Sequence, residues 1–340
     1  MQIGTPPQVV RILMSSSGSS LWVPLPEGCL ESDSKQCPQQ RGGLFNYNAS
    51  STWVAVDLCE LPLEAESSLG YFGNSLVGFD DTTLGRLGSR GPYLAKTVVT
   101  GIASKDFFLG QLGLISRTVN ISGYDDDYSS PLSFLFESGE IPSLSWSYTA
   151  GAPYRQTKAH GSLTLGGYDA ARSDRRNMLT CKMGVDTRRD LLVAITNIST
   201  DGTSLLNSGI YAFIDSTVPH IWLPLDVCAA FEQAFGLVYD NATSLYLVDD
   251  SLHEQLVRSN ASVTISLAAS LPTEAESESS TIDITLPYGA FDMLAGYPLV
   301  SSTEINATSR YFPLKRASNS LQYTLGRAFL QEAYLHVDYG

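Results

Sequence analysis

Residues 11–24 read RILMSSSGSSLWVP, and residues 211–224 read YAFIDSTVPHIWLP. Slid over one another by 200 positions without a gap, Trp22 meets Trp222 and Pro24 meets Pro224. Leu21 meets Ile221, Val23 meets Leu223, Ser16 meets Ser216, and Asp215 meets Ser15. Each copy reads as an apolar strand, a tight polar turn and a second apolar strand. Leu112-Gly113 and Leu325-Gly326 form a further echo, an apolar residue and a glycine inside an apolar strand. A duplicated unit predicts two lobes with one copy each. The length of 340 residues agrees, because it exceeds what one ordinary core carries. The expected division is residues 1–160 and 161–340.

Between the copies the chain reads as short strands cut by Gly, Pro, Asn and Asp clusters. Examples are Val9–Leu13, Thr97–Ile102, Ser162–Leu165, Leu191–Ile195, Val263–Leu267 and Thr281–Leu286. Helical periodicity is sparse. Leu225–Phe235 carries Val227, Phe231 and Ala234 on one side, and Arg327–Glu332 and Pro287–Leu294 are shorter candidates. The expectation is a mostly β protein. Hydrophobic residues at 43% against 16% charged can bury a large core and exclude wholesale disorder. The net charge of −14 denies the chain the basic footprint of a phosphate-backbone binder, so nucleic acid is not an expected partner. No apolar run approaches the roughly 18 to 20 residues of a membrane span. Pro272–Ser280 reads as an acidic surface loop. Asp125–Asp127 reads as a solvated turn, because the spacing of a calcium loop is absent.

Five cysteines occur, at 29, 37, 59, 181 and 228, with no CxxC pair to support structural zinc. Cys29 and Cys37, close together among loop residues, suit a short disulfide. Pairing among Cys59, Cys181 and Cys228 stays open. Six N-x-S/T sequons begin at Asn48, Asn120, Asn197, Asn241, Asn260 and Asn306, out of eleven asparagines. They tilt the reading towards a glycosylated product that is secreted or at the cell surface. Met1-Gln2-Ile3-Gly4 has no leader character, so the chain is expected to be either cytosolic or a fragment of a longer precursor with its signal peptide and any anchor outside it.

Two turns that each carried Asp, at 15 and 215, would give a pair of carboxylates. Like charges held close cannot both ionise, so one proton is shared and the two pKa values split. The ionised member takes a proton from water and the protonated member donates to a substrate carbonyl. Such a dyad hydrolyses amides at acid pH without metal or covalent intermediate.

The residues resemble the pepsin-like aspartic peptidases. Ile3-Gly4-Thr5-Pro6-Pro7-Gln8 is similar to the segment before the first catalytic strand, and Leu21-Trp22-Val23-Pro24 to the segment after the first triplet. Ile214-Asp215-Ser216 resembles the second D-[ST]-G strand. Gly161–Asp169 is similar to the inter-lobe hairpin, and Tyr323–Asp338 to the late strand-helix-strand block. The wording is nearest to secreted fungal members. The resemblance implies a bilobal acid-protease fold, with two pseudo-twofold-related β lobes and a central cleft, no cofactor or metal, and a monomer. Gly70–Ser75 resembles the core of the flap, which makes Tyr71 the residue expected to close over a ligand. An edge-strand aromatic is the competing reading of Tyr71. The strands that the family places before G-T-P-P-Q and after V-D-Y are missing, so the chain is expected to be a piece of a longer product.

Two departures strike the site. The first D-T-G is Ser15-Ser16-Ser17, and the second is Asp215-Ser216-Thr217. A one-residue gap would put Ser16 at the catalytic position, and both registers give serine. Serine cannot serve as a general base or share a proton with Asp215. No histidine sits in the motif to activate it, although His220 follows Asp215 by five residues and allows a Ser-His-Asp triad on paper. Without its partner, Asp215 is expected to accept hydrogen bonds from Ser15, Ser16 or backbone N–H groups. Trp22, Trp222, Met14 and Ile214 read as buried packing residues. The expected role is non-catalytic, with Ser15, Ser16, Tyr71, Asp215, Ser216 and Thr217 lining a cleft that binds a peptide, protein or glycan. Plant xylanase-inhibitor proteins are the family's precedent. An acid endopeptidase and a structural cell-wall protein are the alternatives.

Overall fold

The computed structural model describes residues 1–63, 65–121, 127–173, 177–272, 280–300 and 308–340. Asn306, residues 125–126 of the acidic turn, the interior of Pro272–Ser280 and the side chain of Asn120 lie outside this description. The chain divides into two compact units. The first comprises Met1–Trp146, Leu165–Gly167 and Val337–Gly340, and the second Ser147–Thr164 and Tyr168–His336. Strands dominate both, as the alternating sequence predicts.

The same four-strand core recurs in each unit. In the first, Ile12–Ser15 pairs parallel with Gly110–Gly113, which pairs antiparallel with Leu21–Pro24, which pairs parallel with Tyr93–Ile102. In the second, Ile210–Ile214, Thr324–Leu325, Ile221–Pro224 and Leu314–Ala317 repeat that order and those directions. The registers match as well. Leu21 opposes Leu112 and Trp22 opposes Gln111, as Ile221 opposes Leu325 and Trp222 opposes Thr324.

Each core is closed by a glycine. Gly113 N–H donates to Ser20 O at 2.9 Å, and Gly326 N–H to His220 O at 3.1 Å. A Cβ added at Gly113 would stand 2.5 Å from Gly18 O and 2.7 Å from Ser20 N. One added at Gly326 would meet the carbonyl oxygens of His220 and Val218. Backbone on both sides cannot yield, so only glycine permits the crossing.

Arg41 anchors the first unit. Its side chain is fully buried, and its five N–H groups donate to the carbonyl oxygens of Gly28, Ala103, Ser104, Phe107 and Phe108.

 The individual distances run from 2.7 Å, to Ser104 O, to 3.2 Å, to Phe107 O. Burial lowers the Arg41 pKa, and Asp33 opposes that shift. These bonds hold the 103–108 loop, whose Phe107 packs edge-on against Trp22 at 5.0 Å. The expected Cys29–Cys37 disulfide is present beside Arg41. Cys181 and Cys228 are thiols. Burial pushes the Cys228 thiol up to about 12.

Several local expectations change. Val9–Leu13 is two strands, Gln8–Val9 and Ile12–Ser15. Between them Val10 N–H turns to Met1 O and Arg11 N–H to Gly42 O, so the strand exchanges partners. Leu225–Phe235 is a helix ended by Gly236 at φ +68°, but Cys228 and Phe235 are on its buried side and Ala234 is exposed. Arg327–Glu332 supplies only the 3-10 turn Phe329–Gln331. Pro287–Leu294 gives the short helix Tyr288–Phe291 and then enters the strand Met293–Ala295. A further helix, Asp250–Arg258, is capped by Asp249, whose carboxylate accepts Leu252 N–H at 2.8 Å.

Two stability outcomes are expected in denaturant titrations. Gly113→Ala costs about 3 kcal/mol, whereas Gly139→Ala, whose added Cβ meets nothing within 4 Å, costs about 1 to 2 kcal/mol for its left-handed backbone. Reducing Cys29–Cys37 costs about 2 to 3 kcal/mol through the entropy of the reopened loop.

Candidate functional site

The first turn follows the strand Ile12–Ser15. Ser15, Ser16 and Ser17 are all buried. Ser15 Oγ accepts Gly18 N–H at 2.8 Å and lies 3.5 Å from Ser17 Oγ. Ser17 Oγ donates to Glu66 Oε1 at 2.5 Å. Glu66 is 2% exposed, so the turn has a carboxylate beside it that does not come from residue 15.

The second turn follows Ile210–Ile214. Asp215 is 1% exposed, and its Oδ1 accepts Thr217 N–H at 2.8 Å. The expected backbone donor is therefore present. Ser216 and Thr217 are buried too, and Arg327 Nη1 donates to their carbonyl oxygens at 2.6 and 2.7 Å. The pairing of Ile214 with Leu325 and of Met14 with Leu112 puts Ser15, in the ungapped register, at the position of Asp215.

His220 does not build a triad. It is 3% exposed, and among the described residues neither ring nitrogen has a hydrogen-bond partner. Its ring faces Tyr311 at 5.7 Å. Burial first, and then the Lys315 and Arg327 cations, push its pKa down to about 3. The fold thus holds the ring neutral.

Tyr71 lies in the 61–73 connection between the paired strands Val54–Glu60 and Asn74–Thr83, rather than on an edge strand. Its ring packs on Phe107 at 5.2 Å, against the cluster of Trp22, Leu61 and Ile102. Trp22 is buried as expected, whereas Trp222, Met14 and Ile214 are only half-buried. Of the sequons, Asn48, Asn241 and Asn260 are exposed, and the half-buried Asn197 accepts Ser204 Oγ–H. Glu66 and Arg327 escaped the sequence reading. Nothing in the sequence separates Glu66 from the exposed Glu60, whereas Arg327 directly follows the repeated Leu-Gly and was open to notice.

The family model described as "Eukaryotic aspartyl protease" matches residues 1–340. This chain belongs to that family. A "Probable aspartic-type endopeptidase OPSB" from Arthroderma benhamiae is 25% identical across 74% of this chain and 51% of that protein. A "Vacuolar aspartic protease" from Candida albicans is 24% identical across 98% of this chain and 70% of that protein. The chain spans about half the length of the first of these relatives. Among the described residues, no helix is long and apolar enough to cross a membrane.

The neutral His220 makes stability depend on pH. Its folded pKa lies below the ordinary histidine value of 6.5, so its contribution is complete above about pH 6.5 and is lost as pH falls through about 3. Thermal melting is expected to drop over that window, and His220→Gln is expected to flatten part of the drop. Equal slopes in both proteins would contradict this assignment.

Proposed function

We propose that this chain is a non-catalytic member of the eukaryotic aspartyl protease family that binds a peptide, protein or glycan. One observation carries the reading: residue 15, the counterpart of Asp215, is a serine whose hydroxyl accepts Gly18 N–H. A serine there provides neither an acid nor a base at the working pH of such a dyad, and losing one positioned group costs about 10²- to 10⁴-fold in rate. The scaffold around it is kept, from the two glycine crossings to Asp215 itself. Kept packing beside changed chemistry fits binding better than hydrolysis. The disulfide and the exposed sequons support a secreted or cell-surface product.

A second reading, an acid endopeptidase, follows the names of the relatives and is favoured by one observation, the buried Glu66 carboxylate at the first turn. A mixed peptide library incubated from about pH 2.5 to about pH 7, with and without a statine-type inhibitor, separates the two. The expected result is no hydrolysis above the protein-free control. Cleavage that the inhibitor stops would overturn the non-catalytic reading.

A further inference from the structure

The 61–73 connection brings a carboxylate to a turn that has lost its own. Leu61, Leu63 and Tyr71 pack with Trp22, Ile102 and Phe107. Between these anchors the 3-10 turn Glu66–Leu69 is closed by Gly70 at φ +88°, and Tyr71 N–H donates to Glu66 O at 3.2 Å. The apolar anchoring fixes the backbone that carries Glu66, and Ser17 Oγ–H fixes its carboxylate at 2.5 Å. In the second turn the carboxylate instead belongs to residue 215 and is held by backbone N–H.

We propose that Glu66 is a positioning residue that sets a second block on cleavage at the first turn, one that would remain if residue 15 were an acid. The proposal rests on the non-catalytic reading and deepens it. Ser17 stands where the family triplet has glycine, and its hydroxyl is committed to Glu66. An aspartate at position 15 would project from the residue whose Oγ lies 3.5 Å from Ser17 Oγ. It would add a second acid beside Glu66 in surroundings that are almost dry. Two carboxylates so placed cannot both ionise, and they share a proton within the first unit. That proton is then held between two carboxyl groups of the first unit and is unavailable for acid–base exchange. Restoring the aspartate alone therefore leaves the turn blocked. Replacing the Glu66 carboxyl group by an amide, which keeps an acceptor for Ser17, releases it.

The test compares the natural chain with Ser15→Asp, Glu66→Gln and the double variant. Glutamine keeps a carbonyl oxygen for Ser17, and melting temperatures check that each variant is folded. Peptide-library cleavage and affinity for a statine-type inhibitor are both measured across the acid range. The double variant is expected to cleave about 10²-fold faster than Ser15→Asp and to bind the inhibitor about tenfold tighter. The natural chain and Glu66→Gln are expected not to cleave. Where no variant cleaves, the affinities decide: a tighter double variant supports the proposal, and equal affinities overturn it. Equal cleavage by Ser15→Asp and the double variant also overturns it, while the non-catalytic reading stands if the natural chain stays inactive. Cleavage by the natural chain overturns both. In that event, loss of cleavage in Glu66→Gln would place Glu66 in the catalytic machinery.

Discussion

The approach of backbone to backbone at Gly113 and Gly326 governs the architecture of both units. At each, a strand passes so close to the preceding turn that a single methyl group would enter a carbonyl oxygen. The approach lets the glycine N–H reach the turn at Ser20 or His220, and it brings the antiparallel pairing at Trp22 or Trp222 into register. The turn is thereby held from below by main chain. Its side chains are then positioned by backbone geometry instead of by their own identity. That is why serine can replace aspartate at position 15 while the strand pairing around it still matches the second unit.

Electrostatics divides the two turns. The second keeps a carboxyl group held by Thr217 N–H and is braced by a cation, Arg327, bonded to two carbonyl oxygens. The first has a string of hydroxyls ending at Glu66. Buried polar groups in a nearly dry region are costly unless bonded, so each turn needs its own set of donors and acceptors. The family assignment fixes the scaffold and leaves these sets to define the chemistry.

Much of this was legible in the sequence. The repeat at 11–24 and 211–224 located both turns, because a duplicated strand-turn-strand unit leaves its pattern within a few residues, and the Leu112-Gly113 and Leu325-Gly326 echo located both glycines. The helix Leu225–Phe235 was legible because one turn of apolar residues follows another along a single face. The partners of the turns were not. Ser17 and Glu66 are 49 residues apart, and Arg327 stands 111 residues from Ser216. Such contacts depend on where loops cross in space, and no local periodicity encodes them. His220 was visible as a residue near Asp215, but its lack of partners emerges only from what surrounds the ring.

The two tryptophans show what duplication leaves free to vary. Trp22 donates through Nε1 to Ser20 Oγ at 2.9 Å, and Thr100 lies across the strand pair from it. At the matching places beside Trp222 stand His220 and Lys315. Lys315 is pushed down to about 8 by burial, and Trp222 Nε1 has no hydrogen-bond partner among the described residues. One copy has a hydroxyl pair that is indifferent to protons, and the other has two bases whose charge depends on their surroundings. A shared backbone has thus separated into a half insensitive to its environment at this corner and a half that registers it. A change of compartment would be felt on one side of the duplication before the other.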